Sequence, residues 1–390
     1  GMPQAPNSYD PYSHPEEAKE RRDTVLYTMK TNGKITNEQY EQALATPIND
    51  GLIAHNNNVD SSDKALVYDS FVTMVLKEVQ DKTGLDPYND GLTIETTIDS
   101  KAQQRLYNIV NTNDYIQYVN DKIQNAVVML DTKTGAVRAV NGGRKQTTLL
   151  GYNRVTDNSR STGSTIKPVI DYGPAIEYLN YSTGQTIMDK RTTYSNGVEL
   201  NNWDFSHKGA MTLRTALVYS RNTTALQTFK AVGETNIKSF LNNLDIQIKN
   251  DGQDYLVESN SIGADISPIK MAAAYAAFGN YGTYSKPYTV TKVTTRDGQV
   301  TEFKPEQKQA MKDSTAYMIT DVLKDSFKYG FATQASIPGL PTAAKTGSSN
   351  YTVEQKRAMG ASDYEDIIPD SWFIGYSTDY TISAWTGYDN

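Results

Sequence analysis

The chain has 390 residues, of which 38% are hydrophobic and 21% charged, and its formal net charge is −7. This acidic balance argues against a nucleic-acid-binding protein, which ordinarily carries a basic face. Cysteine is absent, which excludes disulfides, thiol catalysis and cysteine-ligated metals, and the three histidines (His14, His55 and His207) are too scattered for a metal site. We therefore expect no metal and no cofactor, and a serine nucleophile would need a base other than histidine.

The N-terminal quarter combines helical patterns with one polar segment. Pro15 is placed to open a helix, and Gly33 and Gly84 are placed to end one. Apolar residues recur at helical spacing after residue 66, and an alternating pattern follows near residue 92. We predict helices over 15–31, 37–45, 66–82 and 100–112, a linker over 47–63 and a strand over 92–99.

The rest of the sequence places strands at both ends and helices between them. Apolar runs flank Thr132–Gly135, which predicts a hairpin, and Asp297-Gly298 marks a second hairpin turn. Helical signals dominate to about Gly279, and no apolar run approaches the roughly 20 residues of a membrane span. This order favours an α+β fold with a central antiparallel sheet flanked by helices. We predict polar loops over 182–210 and 248–265, and closing strands over 342–348, 371–377 and 380–388.

Three short motifs with catalytic potential occur in order: Ser164-Thr165-Ile166-Lys167, Ser220-Arg221-Asn222 and Lys345-Thr346-Gly347. Each alone is weak, because the same patterns recur where structure explains them. Ser61–Lys64 lies in the predicted linker, Ser267–Lys270 starts a predicted helix, and two further Lys-Thr-Gly triplets end at turn glycines. Taken singly, the three motifs fit a helix cap with a solvated lysine, a polar break between helices and an edge strand.

Ser164 differs from the decoys in its surroundings. Gly163 before it is expected to let the backbone approach a substrate closely. Pro168 is tolerated only early in a helix, so Ser164 is expected at or near a helix N-terminus, which favours negative charge developing nearby. The spacing of three places the Ser164 and Lys167 side chains on one helical face.

Together and in this order, the motifs resemble the set found in penicillin-recognising serine enzymes. Over roughly residues 90–390 the chain resembles the transpeptidase region of class A penicillin-binding proteins of Gram-positive type, through RSTGSTIKP, NWDF, ALVYSRN, AAKTGSSNYT and PDSWFIGYSTDYTISAWTGY. The resemblance implies the penicillin-binding, serine β-lactamase-like transpeptidase fold. It assigns 1–46 to the tail of a glycosyltransferase domain, without that domain's active site, 47–95 to an interdomain linker region and 96–390 to the transpeptidase domain, with its C-terminal end truncated.

The resemblance also implies catalytic roles. Ser164 is the expected nucleophile, and Lys167 its base, provided that burial and a like charge lower the pKa of Lys167. Asn222 is expected to hold Lys167 and bind the substrate backbone. Ser220 is expected to relay a proton to the leaving amine, under the influence of Lys345.

Substrate contacts follow from the third motif. The resemblance implies that Thr346, Gly347 and Ser348 bind the substrate, with the two hydroxyls holding its terminal carboxylate. It assigns the oxyanion hole to the backbone N–H groups of Ser164 and Ser348. Trp203 and Trp372 are candidates for the groove, but a core role is the simpler expectation for each.

The function implied is a D,D-transpeptidase that cross-links peptidoglycan. The expected partners are stem peptides, as a D-Ala-D-Ala donor and an amine acceptor, together with β-lactams bound covalently at Ser164 and the cell-wall synthesis machinery. The expected location is the outer face of the cell membrane, with the anchor upstream of this sequence. No nucleic acid is expected as a partner.

Three other functions fit part of the pattern. A D,D-carboxypeptidase or β-lactamase would use the same acyl-enzyme with water as acceptor. A β-lactam sensor would keep the fold without turnover, although the complete motif set argues against lost chemistry. A Ser-His-Asp esterase would need a G-x-S-x-G turn, and the sequence around Ser164 lacks the second glycine.

Overall fold

The computed structural model describes residues 9, 11, 14–50, 52, 59–351, 353–358, 360, 362 and 367–389. The chain divides into two compact units, which meet in sequence between Asp63 and Lys64. The first unit contains the helices α1 (Pro15–Thr31) and α2 (Asn37–Ala45), as predicted. A reciprocal cap starts α2, in which Thr36 Oγ1 accepts from the Gln39 backbone and the Gln39 side chain accepts from the Thr36 backbone.

The predicted linker is partly helical. Helix α3 spans Val59–Thr83, so the linker prediction is wrong for residues 59–63, while residues 51 and 53–58 lie outside the described part of the chain. From Lys64 onward the chain belongs to the second unit, because apolar α3 side chains such as Phe71 and Val75 are buried in its core.

A five-stranded antiparallel sheet organises the second unit, in the order β14-β15-β16-β2-β3. The hairpin of β2 and β3 comes earlier in the chain and lies at one side of the sheet, and the other three strands come last, as the sequence predicted. The strands are β2 (Gln124–Asp131), β3 (Val137–Asn141), β14 (Ala343–Ser348), β15 (Asp370–Tyr376) and β16 (Tyr380–Gly387). Strand β14 lies at one edge of this sheet, with β15 as its neighbour.

Helices pack on the sheet from the intervening sequence. The almost fully apolar helix α9 contacts β2, β15 and β16, and α10 packs on both α9 and β14. The predicted α+β architecture is confirmed. The remaining helices of the unit are α4 (Ser100–Asn111), α5 (Gly173–Leu179), α6 (Leu213–Val218), α7 (Asn222–Val232), α8 (Glu234–Asn243), α9 (Pro268–Gly279), α10 (Asp313–Lys324) and α11 (Val353–Ala358).

Short strands fill segments that the sequence predicted as loops. The predicted loop over 182–210 contains three short strands and the start of a fourth. The predicted strand near residue 92 pairs with β11 (Val290–Thr294). The short strands are β1 (Thr93–Thr96), β4 (Arg160–Ser161), β5 (Thr186–Asp189), β6 (Thr192–Thr193), β7 (Glu199–Leu200), β8 (Gly209–Thr212), β9 (Asp265–Ile266), β10 (Thr283–Ser285), β11 (Val290–Thr294), β12 (Val300–Glu302) and β13 (Gln307–Gln309).

The described ranges contain neither a membrane-spanning helix nor a cluster of metal ligands. No helix there has the length and apolar character needed to cross a bilayer. No group of His, Asp and Glu side chains there is arranged to hold a metal ion.

Candidate active site

The turn that carries Ser164 is helical but irregular. A 3-10 turn over Gly163–Ile166 leads into a π-helical turn over Pro168–Tyr172 and then into α5. Pro168 has no N–H to give to a regular helical hydrogen bond, which is consistent with the change of helix type beside it. Ser164 is half-buried in the first turn, as predicted, and Lys167 is fully buried one turn later.

Lys167 Nζ sits among three oxygen atoms. It lies 2.7 Å from the Ser220 carbonyl oxygen, 2.7 Å from Asn222 Oδ1 and 3.3 Å from Ser220 Oγ. The first two are acceptors only, so they use the two hydrogens of a neutral amine. The lone pair of that amine is then available to take a proton from a hydroxyl. Ser164 Oγ makes no hydrogen bond to Lys167 or to any other described residue.

Ser220 presents both its carbonyl and its hydroxyl to Lys167 because its backbone is left-handed. Its φ is +54°, a value that non-glycine residues rarely adopt. It lies between the end of α6 and the start of α7, in the polar break that the sequence indicated. Such strain persists only when the surrounding structure holds it in place.

An ion-pair network holds this strained turn. Arg221, only 2% exposed, donates from Nε to Asp189 Oδ2 at 2.9 Å and from Nη1 to Asp204 Oδ1 at 2.9 Å, and its third contact is to the Ser206 carbonyl. The Asn222 N–H donates to Asn202 Oδ1 at 2.7 Å. Sequence reasoning did not find this network; its one local signal is the Asp of the NWDF segment, which is Asp204.

Lys345 reaches the same hydroxyl from the edge strand β14. Its Nζ donates to Ser220 Oγ at 2.8 Å and to the Thr346 carbonyl at 2.9 Å. Burial lowers the pKa of Lys345 to about 7. Burial and the like charge of Lys345 together lower the pKa of Lys167 well below its ordinary value. The site therefore favours an uncharged Lys167 beside a second lysine that can still be cationic at neutral pH.

Two glycines let the Ser164 turn lie directly against the end of β14. A Cβ atom on Gly163 would come within 2.8 Å of the Ser348 backbone nitrogen, and one on Gly347 within 2.8 Å of the Thr165 nitrogen. Gly163 also has a φ of +49°. The close approach predicted for Gly163 is present, but to the backbone at Ser348 within this chain.

The structure brings most of the sequence-predicted site residues together. Lys167, Ser220, Asn222 and Lys345 share direct hydrogen bonds. Thr346 and Ser348 lie two apart on β14, hence on one face of the strand, with Thr346 half-buried and Ser348 exposed. The decoy Ser267 instead precedes α9, as predicted.

The two tryptophans considered for the groove differ in exposure. Trp372 is 2% exposed, which confirms its core role. For Trp203 that expectation is wrong: the side chain is 56% exposed and donates from Nε1 to the carbonyl of Tyr219, directly before Ser220. Phe331 packs edge-on against it, with ring centroids 5.3 Å apart.

A family model described as the penicillin binding protein transpeptidase domain matches residues 125–388. The chain belongs to this penicillin-binding-protein transpeptidase family. Among its relatives, penicillin-binding protein 1A of Streptococcus oralis is 42% identical over 400 residues, covering 100% of this chain and 62% of the relative. Penicillin-binding protein 1A/1B of Bacillus subtilis is 41% identical over 394 residues, covering 99% of this chain and 42% of the relative. The chain thus spans about half the length of these curated relatives.

Solved structures of penicillin-binding proteins share the fold of this transpeptidase. The penicillin-binding protein PonA1 from Mycobacterium tuberculosis superposes with a TM-score of 0.71 at 22% identity, covering 84% of this chain and 83% of that one. Penicillin-binding protein 1A from Haemophilus influenzae superposes with a TM-score of 0.66 at 18% identity, covering 100% of this chain and 75% of that one.

Proposed function

We propose that this transpeptidase is a serine D,D-transpeptidase that cross-links peptidoglycan stem peptides and is acylated by β-lactams at Ser164. The observation that carries the proposal is that Lys167 Nζ and Lys345 Nζ both contact the Ser220 hydroxyl. Lys167 itself lies one helical turn after Ser164. The family supports transpeptidation, and a PonA1 structure is described as a complex with penicillin V.

Acylation begins at Ser164. As its oxygen bonds to the carbonyl carbon of the penultimate D-Ala, its proton passes to the free lone pair of Lys167. The oxygen of that carbonyl becomes an oxyanion, held by the backbone N–H groups of Ser164 and Ser348. The C–N bond then breaks, and the departing D-Ala amine takes a proton from Ser220 Oγ, which recovers one from Lys167.

The second half reverses these steps with a new amine. An amine of a neighbouring stem attacks the ester, loses a proton to the lysine–serine pair and displaces Ser164, which regains its proton. The amide formed replaces the amide broken, so no ATP is needed. Lys345, with the Thr346 and Ser348 hydroxyls, holds the terminal carboxylate of the donor.

We extend the proposal to the rest of the sequence on the strength of the resemblance. Residues 1–46 are the tail of a glycosyltransferase domain, and the transpeptidase works at the outer face of the cell membrane. Cell-wall synthesis proteins are its partners. The alignment with penicillin-binding protein 1A of Streptococcus oralis over the full chain supports this assignment.

The test is a fluorescent penicillin with intact-mass readout on three proteins: wild type, Ser164→Ala and Ser267→Ala. Ser267 is a matched control because it heads the decoy Ser-x-x-Lys pattern. We expect one adduct per molecule in wild type and Ser267→Ala and none in Ser164→Ala. Equal labelling of all three proteins would refute the assignment. A D-Ala-D-Ala peptide with an added amine then separates cross-linking from the carboxypeptidase alternative, which yields only the hydrolysed product.

A further inference from the structure

One carboxylate outside the three motifs contacts both segments that carry the proposed oxyanion-hole amides. Asp370, the first residue of β15, is 3% exposed. Its Oδ1 accepts from Arg160 Nε at 2.8 Å, and its Oδ2 accepts from Ser349 Oγ at 2.5 Å. Arg160 precedes Ser164 by four residues, and Ser349 directly follows Ser348.

The contacts of Asp370 are anchored in the sheet. Its Oδ1 also accepts from Trp385 Nε1 at 2.9 Å, and its backbone carbonyl accepts from the Ser349 N–H at 3.1 Å. The Arg160 side is held in turn by Trp372, whose Nε1 donates to the Ser161 carbonyl at 2.9 Å. The two segments are therefore joined through one fixed side chain, in addition to the glycine contacts between them.

The chemistry of a carboxylate suits this position. Three donors converge on its two oxygens, and one donor, the Arg160 guanidinium, is charged. An asparagine can keep all three contacts, because its amide oxygen accepts from Arg160 and Trp385 while its N–H group donates to the Ser349 hydroxyl. Asp370→Ala instead removes all three contacts.

We propose that Asp370 is a positioning residue that fixes the spacing between the backbone N–H groups of Ser164 and Ser348. The inference rests on the proposed serine mechanism. An oxyanion hole acts only when both donors lie about 2.7–3.1 Å from the developing charge, so a small drift of either segment weakens it. Asp370 touches no substrate in this mechanism; it acts through the Arg160 and Ser349 segments.

The experiment measures penicillin acylation by stopped flow, separating the first-order acylation rate constant from the dissociation constant of the non-covalent complex. We expect Asp370→Ala to lower the rate constant about 10- to 100-fold, the scale of a small misplacement of catalytic groups, and to leave the dissociation constant unchanged. Asp265→Asn is the control, because it removes a negative charge that acts on the same ion pair without removing a contact of Asp370. It should acylate at the wild-type rate.

A purely structural role predicts a different signature. Partial unfolding lowers the fraction of molecules labelled and leaves the rate of the remainder unchanged, and that result would overturn the proposal. So would a wild-type rate in Asp370→Ala.

Ser349→Ala keeps the proposal testable if Asp370→Ala does not fold. It removes one contact at a half-buried position, and we expect a slower acylation rate constant here too. In the double variant the two losses should not add, because both act through one contact. Additive losses, or a wild-type rate in Ser349→Ala, would contradict the inference. Failure of the wild type to be acylated at Ser164 would instead reject the proposed function itself.

Discussion

Lys345 Nζ lies 2.8 Å from Ser220 Oγ, although 125 residues separate the two in the chain. Lys167 approaches the same oxygen at 3.3 Å. Two ammonium groups this close and this buried repel each other strongly, so the site favours one charge over two. Lys167 is the better candidate for the neutral partner, because burial and the charge of Lys345 both lower its pKa, whereas burial alone lowers the pKa of Lys345.

The charge states predict how acylation depends on pH. The pKa of Lys167 is lowered by burial and by Lys345, so acylation should reach its plateau far below the ordinary lysine value of about 10.4. Burial lowers the pKa of Lys345 to about 7, so the free enzyme loses this cation as the pH rises through that value. The second-order acylation constant should therefore fall above pH about 7.

Saturation of the enzyme with penicillin should extend the pH range over which acylation is fast. The carboxylate of a bound penicillin favours the protonated form of Lys345, so the first-order constant should hold to a higher pH than the second-order one. Rates measured over pH 5–10 with both constants extracted test this. Two profiles that fall at the same pH, or acylation that begins only near pH 10, would contradict the charge assignment.

Gly163→Ala should abolish acylation. A Cβ at this position would press on the backbone of Ser348, and the residue's φ of +49° adds strain. Gly233→Ala is the matched control: Gly233 has a φ of +76°, but a Cβ there meets no atom within 4 Å. We expect both variants to lose about 1 kcal/mol of stability from backbone strain. Only Gly163→Ala should lose penicillin labelling as well, and comparable labelling of the two would count against the tight packing described here.

The two carboxylates that hold Arg221 should differ in importance. Asp189 is fully buried and also accepts from Thr223 Oγ1 at 2.6 Å and Asn202 Nδ2 at 2.8 Å, whereas the Asp204 side chain is 20% exposed. Breaking a buried ion pair costs about 3–5 kcal/mol, and exposure reduces that cost. Asp189→Asn should therefore lower the free energy of urea unfolding more than Asp204→Asn, and should also slow acylation. The reverse order would show that Asp204 is the principal anchor of Ser220.

Asp171 should lower the free energy of unfolding of the protein. It is fully buried one turn after Lys167, and neither carboxylate oxygen has a hydrogen-bond partner among the described residues. Burial raises the pKa of Asp171 well above its ordinary value, which is near 4. Between those two values the folded state binds more protons than the unfolded state, so wild-type stability falls as the pH rises.

Asp171→Asn removes this dependence. The variant should gain on wild type by about 1.4 kcal/mol for each pH unit within that window, so the advantage should be larger at pH 8 than at pH 5. Urea unfolding at the two pH values measures it. Equal differences at both would mean that Asp171 does not titrate with folding.

Local patterns predicted those elements that are long enough to show a period. Strands β2, β15 and β16 fall close to their predicted bounds, because apolar residues recur along each of them, and α1 does so because Pro15 and Gly33 mark its ends. The start of α3 was missed because its first residues are polar, and apolar spacing begins only at Val67. Strands of two to four residues, such as β5 and β7, are too short for alternation to show.

The sequence predicts those site residues that belong to ordered motifs. It does not predict residues whose role depends on contacts between distant parts of the chain. The three short motifs occur in the order known from penicillin-recognising enzymes, which is why the sequence predicted Ser164, Lys167, Ser220 and Lys345. Asp370 was missed, because its role depends on Arg160 and Ser349, which approach it only in the folded chain. The left-handed backbone of Ser220 was equally hidden, since serine has no preference for it.

The sheet order has a consequence for how this protein becomes reactive during synthesis. Strand β2 pairs with β16 (Tyr380 opposite Asp131), so β2 waits for a strand that is synthesised much later than itself. The nascent chain already carries Ser164, Lys167 and Ser220, but Lys345 sits on β14, which reaches β2 only through β15 and β16. Pairing between strands so far apart in the sequence is slow. Until it is complete, the polypeptide should not react with penicillin.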